Sequence, residues 1–266
     1  PKANTYRRQL TEQFPGSPVT ISLTRAEADK LFTDKKYTEA MRLYSTIESS
    51  LDENGKKNFL LSKMLAEAGS SPAKLLEAAD KVFLSGDDTQ KEILQTARDI
   101  YLEALKSPNQ LSAEQIARAK TRLGWAYYQG TPDWKDIDKA EKIWREVIAQ
   151  NPKNNEWAIE SRWYLVYLLA GPKNYQKEGE WKNAIKMSEE IIALAPPENQ
   201  RREQAMFINA WLYLAWKDHQ SALPLFEKYA TTYPYSSKQP AIQNYIKECR
   251  EKLGMAALPV TGGNTP

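Results

Sequence analysis

Three fourteen-residue blocks of this chain align without a gap: KAEKIWREVIAQNP (139–152), NAIKMSEEIIALAP (183–196) and SALPLFEKYATTYP (221–234). Each has alanine at its second position (Ala140, Ala184, Ala222) and proline twelve residues later (Pro152, Pro196, Pro234). EAMRLYSTIESSLD (39–52) fits the same frame from Ala40, with Asp52 in the place of the proline. The prolines follow one another at 44 and 38 residues. A unit of this length cannot bury its apolar face alone, so recurrence at this spacing constrains the chain to a stack of similar units.

The unit reads as helical. Apolar residues recur at three and four, as in Ala28, Leu31 and Phe32, then Ala40, Leu43, Tyr44 and Ile47. The pattern predicts about twelve helices of roughly 12–18 residues. Breaks are predicted at Asp52–Gly55, Gly69–Pro72, Gly86–Asp88, Ser107–Asn109, Gly130–Asp133, Asn151-Pro152, Gly171-Pro172, Pro196-Pro197 and Tyr233-Pro234. Proline stops a helix because it lacks an N–H and crowds the preceding turn. Short connections make successive helices antiparallel. A further helix precedes each later block, carrying Leu123-Gly124, Leu165-Val166 or Asn209-Ala210; small residues at Gly124 and Ala210 would let two helices approach closely. Phe14-Pro15-Gly16-Ser17 and Tyr233-Pro234-Tyr235-Ser236 share one form, which reads as the turn between repeats.

These residues resemble the tetratricopeptide repeat family. The resemblance is carried by RLGWAYYQG…DKAEKIWREVIAQNP (122–152) and EADKLFTDKKYTEAMRLYSTIE (27–48). The family pattern has a small residue in the first helix, an aromatic before the second, then alanine, an aromatic four on, and a final proline. Ala28, Tyr37, Ala40 and Tyr44 supply it in one repeat, and Gly124, Ala140, Trp144 and Pro152 in the next. Trp181, Ala184 and Pro196 follow, but Ser188 stands where the aromatic is expected. Ala222, Phe226 and Pro234 complete a fourth, with Asn209 where leucine is usual. The resemblance implies an all-α, right-handed superhelical α-solenoid of antiparallel helix pairs. Residues 1–17 read as the end of a truncated repeat, with a second helix at 4–14. Residues 18–110 read as helical repeats, degenerate over 56–110. Residues 111–253 read as further repeats with a closing helix, and 254–266 as a flexible tail. The FPGSP and YPYSS endings look like repeats of bacterial envelope proteins such as the outer-membrane assembly lipoproteins.

Composition narrows the chemistry. With 37 basic and 34 acidic residues the net charge is +3, too balanced for a nucleic-acid or anionic-lipid footprint. No apolar run approaches the roughly 18 residues of a membrane helix, so direct membrane insertion is not expected. A single cysteine, Cys249, allows no internal disulfide, and a single histidine, His219, allows no histidine metal cluster. GxGxxG and GxxxxGK[ST] are absent. Glu178 and Glu180 flank a glycine, and Glu189 and Glu190 point about 100° apart on a helix, so neither set forms an acid–base pair. No catalytic residue, cofactor or metal is expected. His219 reads as surface or repeat packing, and Cys249 as inert.

In a solenoid of this type, recognition takes place on an extended concave surface. The resemblance implies that first helices line it: Arg25, Asp29 and Phe32; then Arg118, Thr121, Trp125 and Tyr128; then Glu160, Trp163 and Tyr167; then Gln204, Phe207 and Trp211. All eight tryptophans fall between Trp125 and Trp216. Trp144 and Trp181 read as core. Trp125, Trp163, Tyr167 and Trp211 are either packed as well or form a stripe that anchors a partner, as aromatic hot spots do. Arg118, Lys120 and Arg122 are either a solvated face or a site for a partner's carboxylate. LPVTGG (258–263) matches the sortase signal LPxTG, but also reads as a Pro/Gly linker.

The sequence therefore points to a non-enzymatic scaffold that binds a partner peptide or helix on its concave face, within an envelope or periplasmic assembly. Two alternatives stand beside it. One is the helical scaffold of a larger cell-wall-acting enzyme whose catalytic domain lies elsewhere. The other is self-assembly through N-terminal repeats.

Overall fold

A computed structural model describes Leu10 and residues 13–86, 91–131, 135–171 and 178–255, without the side chains of Glu92 and Glu178. Most of the predicted helix at 4–14, the LPVTGG segment and most of the 171–180 connection lie outside these residues. The described chain holds twelve α-helices and two 3-10 turns. It divides into two compact units, Pro1–Ser112 and Ala113–Pro266.

The first unit contains α1 (Pro18–Thr33), α2 (Tyr37–Thr46), α3 (Glu53–Ala68), α4 (Pro72–Ser85) and α5 (Lys91–Ala104). Ser17 caps α1 by accepting from the Thr20 N–H at 3.1 Å, and Pro18 opens the helix where its missing N–H costs nothing. The FPGS turn is thus a cap followed by a helix start. The predicted break at Asp52–Gly55 is shorter than expected. Asp52 is itself the cap, accepting from the Gly55 N–H at 2.8 Å, and α3 already runs from Glu53. The missing side chain of Gly55 leaves room for Leu51, whose Cδ2 lies 2.9 Å from where a β-carbon would stand.

Helices α1 and α2 pack as a pair, with Ala28, Ala40 and Tyr44 fully buried between them. The Tyr44 hydroxyl donates to the Asp29 carboxylate at 2.5 Å. Helices α4 and α5 repeat this arrangement in the stretch that reads as degenerate. Ala79 and Ala97 are fully buried, and the Tyr101 hydroxyl donates to Asp80 at 2.7 Å. The sequence signal was present: ADKLF (28–32) recurs as ADKVF (79–83), and Ala97 precedes Tyr101 by four as Ala40 precedes Tyr44. A hidden repeat therefore occupies α4–α5.

The second unit contains α6 (Ala113–Gln129), α7 (Ile137–Gln150), α8 (Glu156–Leu169), α9 (Glu178–Leu194), α10 (Gln200–Ala215), α11 (His219–Thr232) and α12 (Gln239–Lys252). Each helix packs on the next, and α6 also meets α8 and α8 meets α10. That second set of contacts makes the helix pairs a stack rather than a string of hairpins. The frame alanines Ala140, Ala184 and Ala222 are fully buried. Side-chain caps start four of these helices: Asp136, Asn155, Asn199 and Asp218 each accept from a backbone N–H in the first turn. His219 is the first residue of α11 and is half-buried.

The small residue of α6 does what its position implies. A β-carbon on Gly124 would lie 2.4 Å from Nε1 of Trp144. The indole fills that space and donates to the Thr121 carbonyl at 3.1 Å. Trp144 is fully buried. Trp181 is only half-buried and stacks on Trp216, with centroids 4.9 Å apart. Helix α12 buries Ile242, Ile246 and Cys249 and presents Gln243, Asn244, Lys247 and Glu248 outward. Both connections α1–α2 and α10–α11 hold a lysine in the left-handed region, Lys35 at φ 60° and Lys217 at φ 61°. In each, the next N–H reaches back five residues to a helix carbonyl, Lys36 to Leu31 and Asp218 to Tyr213.

Candidate binding cleft

Helices α6, α8 and α10 are the first helices of successive pairs, and their C-terminal halves carry rings toward one another. Tyr128 of α6, Trp163 and Tyr167 of α8, and Phe207 and Trp211 of α10 line a cleft of about 290 Å³, floored by Val166, Ala170, Gly171 and Ile208. Tyr167 is 50% exposed at its edge; the other four rings are half-buried. Tyr128 and Tyr167 meet edge to face, with centroids 6.0 Å apart. That is a favoured aromatic arrangement, and it holds the opening in shape. Burial, with a smaller contribution from Tyr167, pushes the Tyr128 phenol up from its ordinary pKa.

Trp125 does not line the cleft. It stacks on Tyr164 at 4.7 Å and touches both Tyr128 and Tyr167 from behind, at 5.5 and 5.9 Å. It supports two of the lining rings.

Glu160 is bound to its own chain. Arg201 of α10 donates to both its oxygens, Nε to Oε2 at 2.7 Å and Nη2 to Oε1 at 2.5 Å. The remaining arm of Arg201 donates to Gln204 at 2.6 Å. Its guanidinium lies over the Trp163 ring, 5.4 Å from the centroid. Burial works against the charge on Arg201, but the hydrogen bonds to Glu160 hold its pKa above the ordinary value. This planar, two-pronged contact joins α8 to α10 and fixes one wall of the cleft. Sequence reasoning missed Arg201, because its partner lies 41 residues away.

Thr121 has to be corrected. It is fully buried, donating to the Ala117 carbonyl at 2.8 Å and paired with the Ser161 hydroxyl at 2.9 Å. It joins α6 to α8 and cannot meet a partner. The reason is its place on the helix face: the seam to α8 takes it inside, while Tyr128, two turns later, reaches the cleft. Arg118 is half-buried on the same helix. The basic run is engaged within the chain: Lys120 reaches Glu146 and Gln150 at 3.4 and 3.3 Å, and Arg122 lies over Trp157 at 5.2 Å.

In the first unit, Arg25 binds Asp52 at 2.8 Å and Asp29 at 3.6 Å, so it ties α1 to the start of α3. Phe32 packs edge to face on Tyr37 at 5.7 Å. A cleft of similar volume in this unit is lined by Leu23, Leu43 and Ile47 together with threonines and Glu27, and by no aromatic ring.

Among the described residues, the carboxyl groups with displaced pKa values are held low. Asp52 is lowered chiefly by Arg25, Glu103 by Lys106 and Lys35, and Glu203 by Tyr229 and Ser236. A general acid needs the opposite displacement. Among the described residues no group of histidine, cysteine and carboxylates could hold a metal ion. No described helix is long and apolar enough to cross a membrane.

The helix pair that supplies Tyr128 and Trp144 is the part of the chain that matches a known family. Residues 118–154 match the tetratricopeptide repeat family. This tetratricopeptide segment comprises most of α6, all of α7 and the turn beyond Pro152. No curated protein matches the chain. Among solved structures, it is similar to one described as nearly identical TPR-like repeats of a putative kinesin light chain from Podosopora anserina. Identity is 17% over 70% of this chain and 88% of that one, with a TM-score of 0.48. A point variant of the same protein is 16% identical over 70% and 87%, with a TM-score of 0.48. Likeness at this level does not bear on what the chain binds.

Proposed function

We propose that the chain is a non-enzymatic protein–protein interaction scaffold that binds a partner peptide or helix on the face formed by its first helices. One observation carries this reading. Five rings from three successive first helices converge on one open apolar cleft, instead of packing singly into separate cores. Half-exposed aromatic clusters of this kind supply the anchors of protein interfaces, since a ring brings large contact area at small entropic cost. Of the residues expected to meet a partner, Tyr128, Trp163, Tyr167, Phe207 and Trp211 share the cleft. Trp125 and Glu160 act behind them. The setting proposed is a bacterial envelope assembly, for which the FPGSP and YPYSS turns are the support.

The test places a photo-crosslinking phenylalanine analogue at position 167, at the cleft edge, in the full chain. Crosslinked product from native lysate is compared with that from a second protein that also carries Trp211→Ala, after circular dichroism shows unchanged helix content. Capture that depends on Trp211 supports the reading. Equal capture by both proteins overturns it.

A further inference from the structure

The aromatic cleft and the segment that follows α12 belong to the same unit and complement each other. This inference rests on the reading of the cleft as a binding site and concerns its regulation. The run Met255-Ala256-Ala257-Leu258-Pro259-Val260 is apolar throughout, and no charged residue occurs from Met255 to Pro266. Leu253 and Met255, which lead into it, are 39% and 47% exposed. An apolar run of this length outside a core calls for a surface that covers it.

The charges around the cleft are balanced. Arg201 is bound by Glu160, Lys238 pairs with Glu203 at 3.9 Å, and Lys135 stands beside the exposed Asp136 and Asp138. An uncharged segment enters without disturbing these pairs, whereas a charged one would be desolvated without gaining an uncommitted counter-charge.

The path is short. The Tyr245 ring of α12 lies 6.4 Å from that of Phe207, which lines the cleft. Helices α10 and α12 both pack on α11 and run in the same direction, so α12 ends toward the level at which α10 carries Trp211. There Gly254, in the left-handed region at φ 67°, stops the helix. Its N–H donates to the Glu251 carbonyl at 3.2 Å, and the Met255 N–H reaches back to Arg250 at 2.9 Å. One helix spacing and about one turn of axial rise leave roughly 10–15 Å between Met255 and the Trp211 ring. Leu258 to Val260 cover that distance, because they lie about 10–18 Å of extended chain beyond Met255.

We propose that Leu258-Pro259-Val260 occupies the cleft in cis and competes there with the partner segment. Proline brings a pre-set backbone and an apolar ring to walls of tryptophan and tyrosine, and Leu258 and Val260 flank it with apolar area. A segment joined to its site by a few residues is presented at roughly millimolar effective concentration, so a partner has to outcompete it.

The test uses the full purified chain with a photo-crosslinking phenylalanine analogue at position 167. Irradiation of dilute protein is expected to give a monomeric product that joins position 167 to residues 256–261, mapped by peptide mass spectrometry. Leu258→Asp with Val260→Asp is expected to abolish it. A labelled peptide of residues 255–266 is expected to bind the doubly substituted chain about tenfold more tightly than the unaltered chain, whose own segment competes. Trp211→Ala is expected to remove that binding. A dimeric product, or a peptide that binds both chains alike or neither, overturns occupancy in cis. If position 167 joins nothing in 256–261 but Trp211-dependent capture from lysate persists, the proposal falls and the cleft reading stands. If both are absent, both fall.

Discussion

Ser188 and Asn209 each depart from the repeat pattern, and each accounts for the other. The serine leaves room where an aromatic would stand, and the asparagine of the next helix donates its amide to the Ser188 hydroxyl at 2.9 Å. Both are buried, and Ser188 donates in turn to the Ile185 carbonyl at 2.7 Å. A buried amide without a partner costs more than the bond contributes, so the two substitutions are coupled. A double-mutant cycle of Ser188→Ala and Asn209→Ala, read by urea unfolding, is expected to show coupling of about 1 kcal/mol. Strictly additive losses would mean that the pair is incidental. Glu203 offers a second test at this scale. Its hydrogen bonds from Tyr229 and Ser236 hold its folded pKa below the ordinary value. Its contribution is therefore present above the unfolded carboxyl pKa and lost as pH falls through the folded one. Tyr229→Phe removes the largest cause, so stability should fall less steeply on acidification below about pH 4.5 than in the unaltered chain. An unchanged acid limb would assign the depression elsewhere.

Pairing between elements depends on a few steric permissions. Gly124 is the clearest, because only the absence of a β-carbon admits the Trp144 indole against α6. Gly124→Ala would gain up to about 1 kcal/mol of helix propensity but force the indole from its site and break its bond to the Thr121 carbonyl. The net expectation is a loss of about 1–3 kcal/mol in chemical denaturation, with altered tryptophan emission. An alanine variant as stable as the parent would show that the contact is slack. The hairpin α4–α5 shows the limit of reading such permissions from one frame. Its alanine, aspartate and tyrosine match α1–α2, but the spacing from Ala79 to Ala97 is 18 where that from Ala28 to Ala40 is 12. A search keyed to a fixed spacing and a final proline passes over it. The bonds of Tyr44 and Tyr101 to first-helix carboxylates restore the kinship in space.

At the scale of the whole second unit, stability comes from contacts between neighbouring helices. A stack of this kind opens from its ends. Cys249 reports on that directly: it is fully buried on α12, and burial pushes its thiol pKa up, so both access and thiolate content are low. Labelling with a thiol reagent is expected to be slow in the native state. Its denaturant dependence is expected to be smaller than that of global unfolding, because release of α12 alone exposes the thiol. A labelling rate with the full global dependence would mean that the unit opens as one block.

What is local was legible in the residues alone. Helix periodicity, proline and glycine breaks, capping residues and the alanine–aromatic frame depend on residues within a turn or two of each other, and they set the all-α class and the pairing of successive helices. The aromatic content of the later first helices was equally plain. Packing between helices settled what each of those residues does. Thr121 and Trp125 stand four residues apart on one helix, yet the first is sealed in a seam and the second braces the cleft from behind. Arg201 becomes part of the site only because α10 stands beside α8. Such placements depend on which helix face the neighbouring helix covers. That is set by contacts between residues some 20 to 40 apart, and periodicity within a single helix carries no record of it.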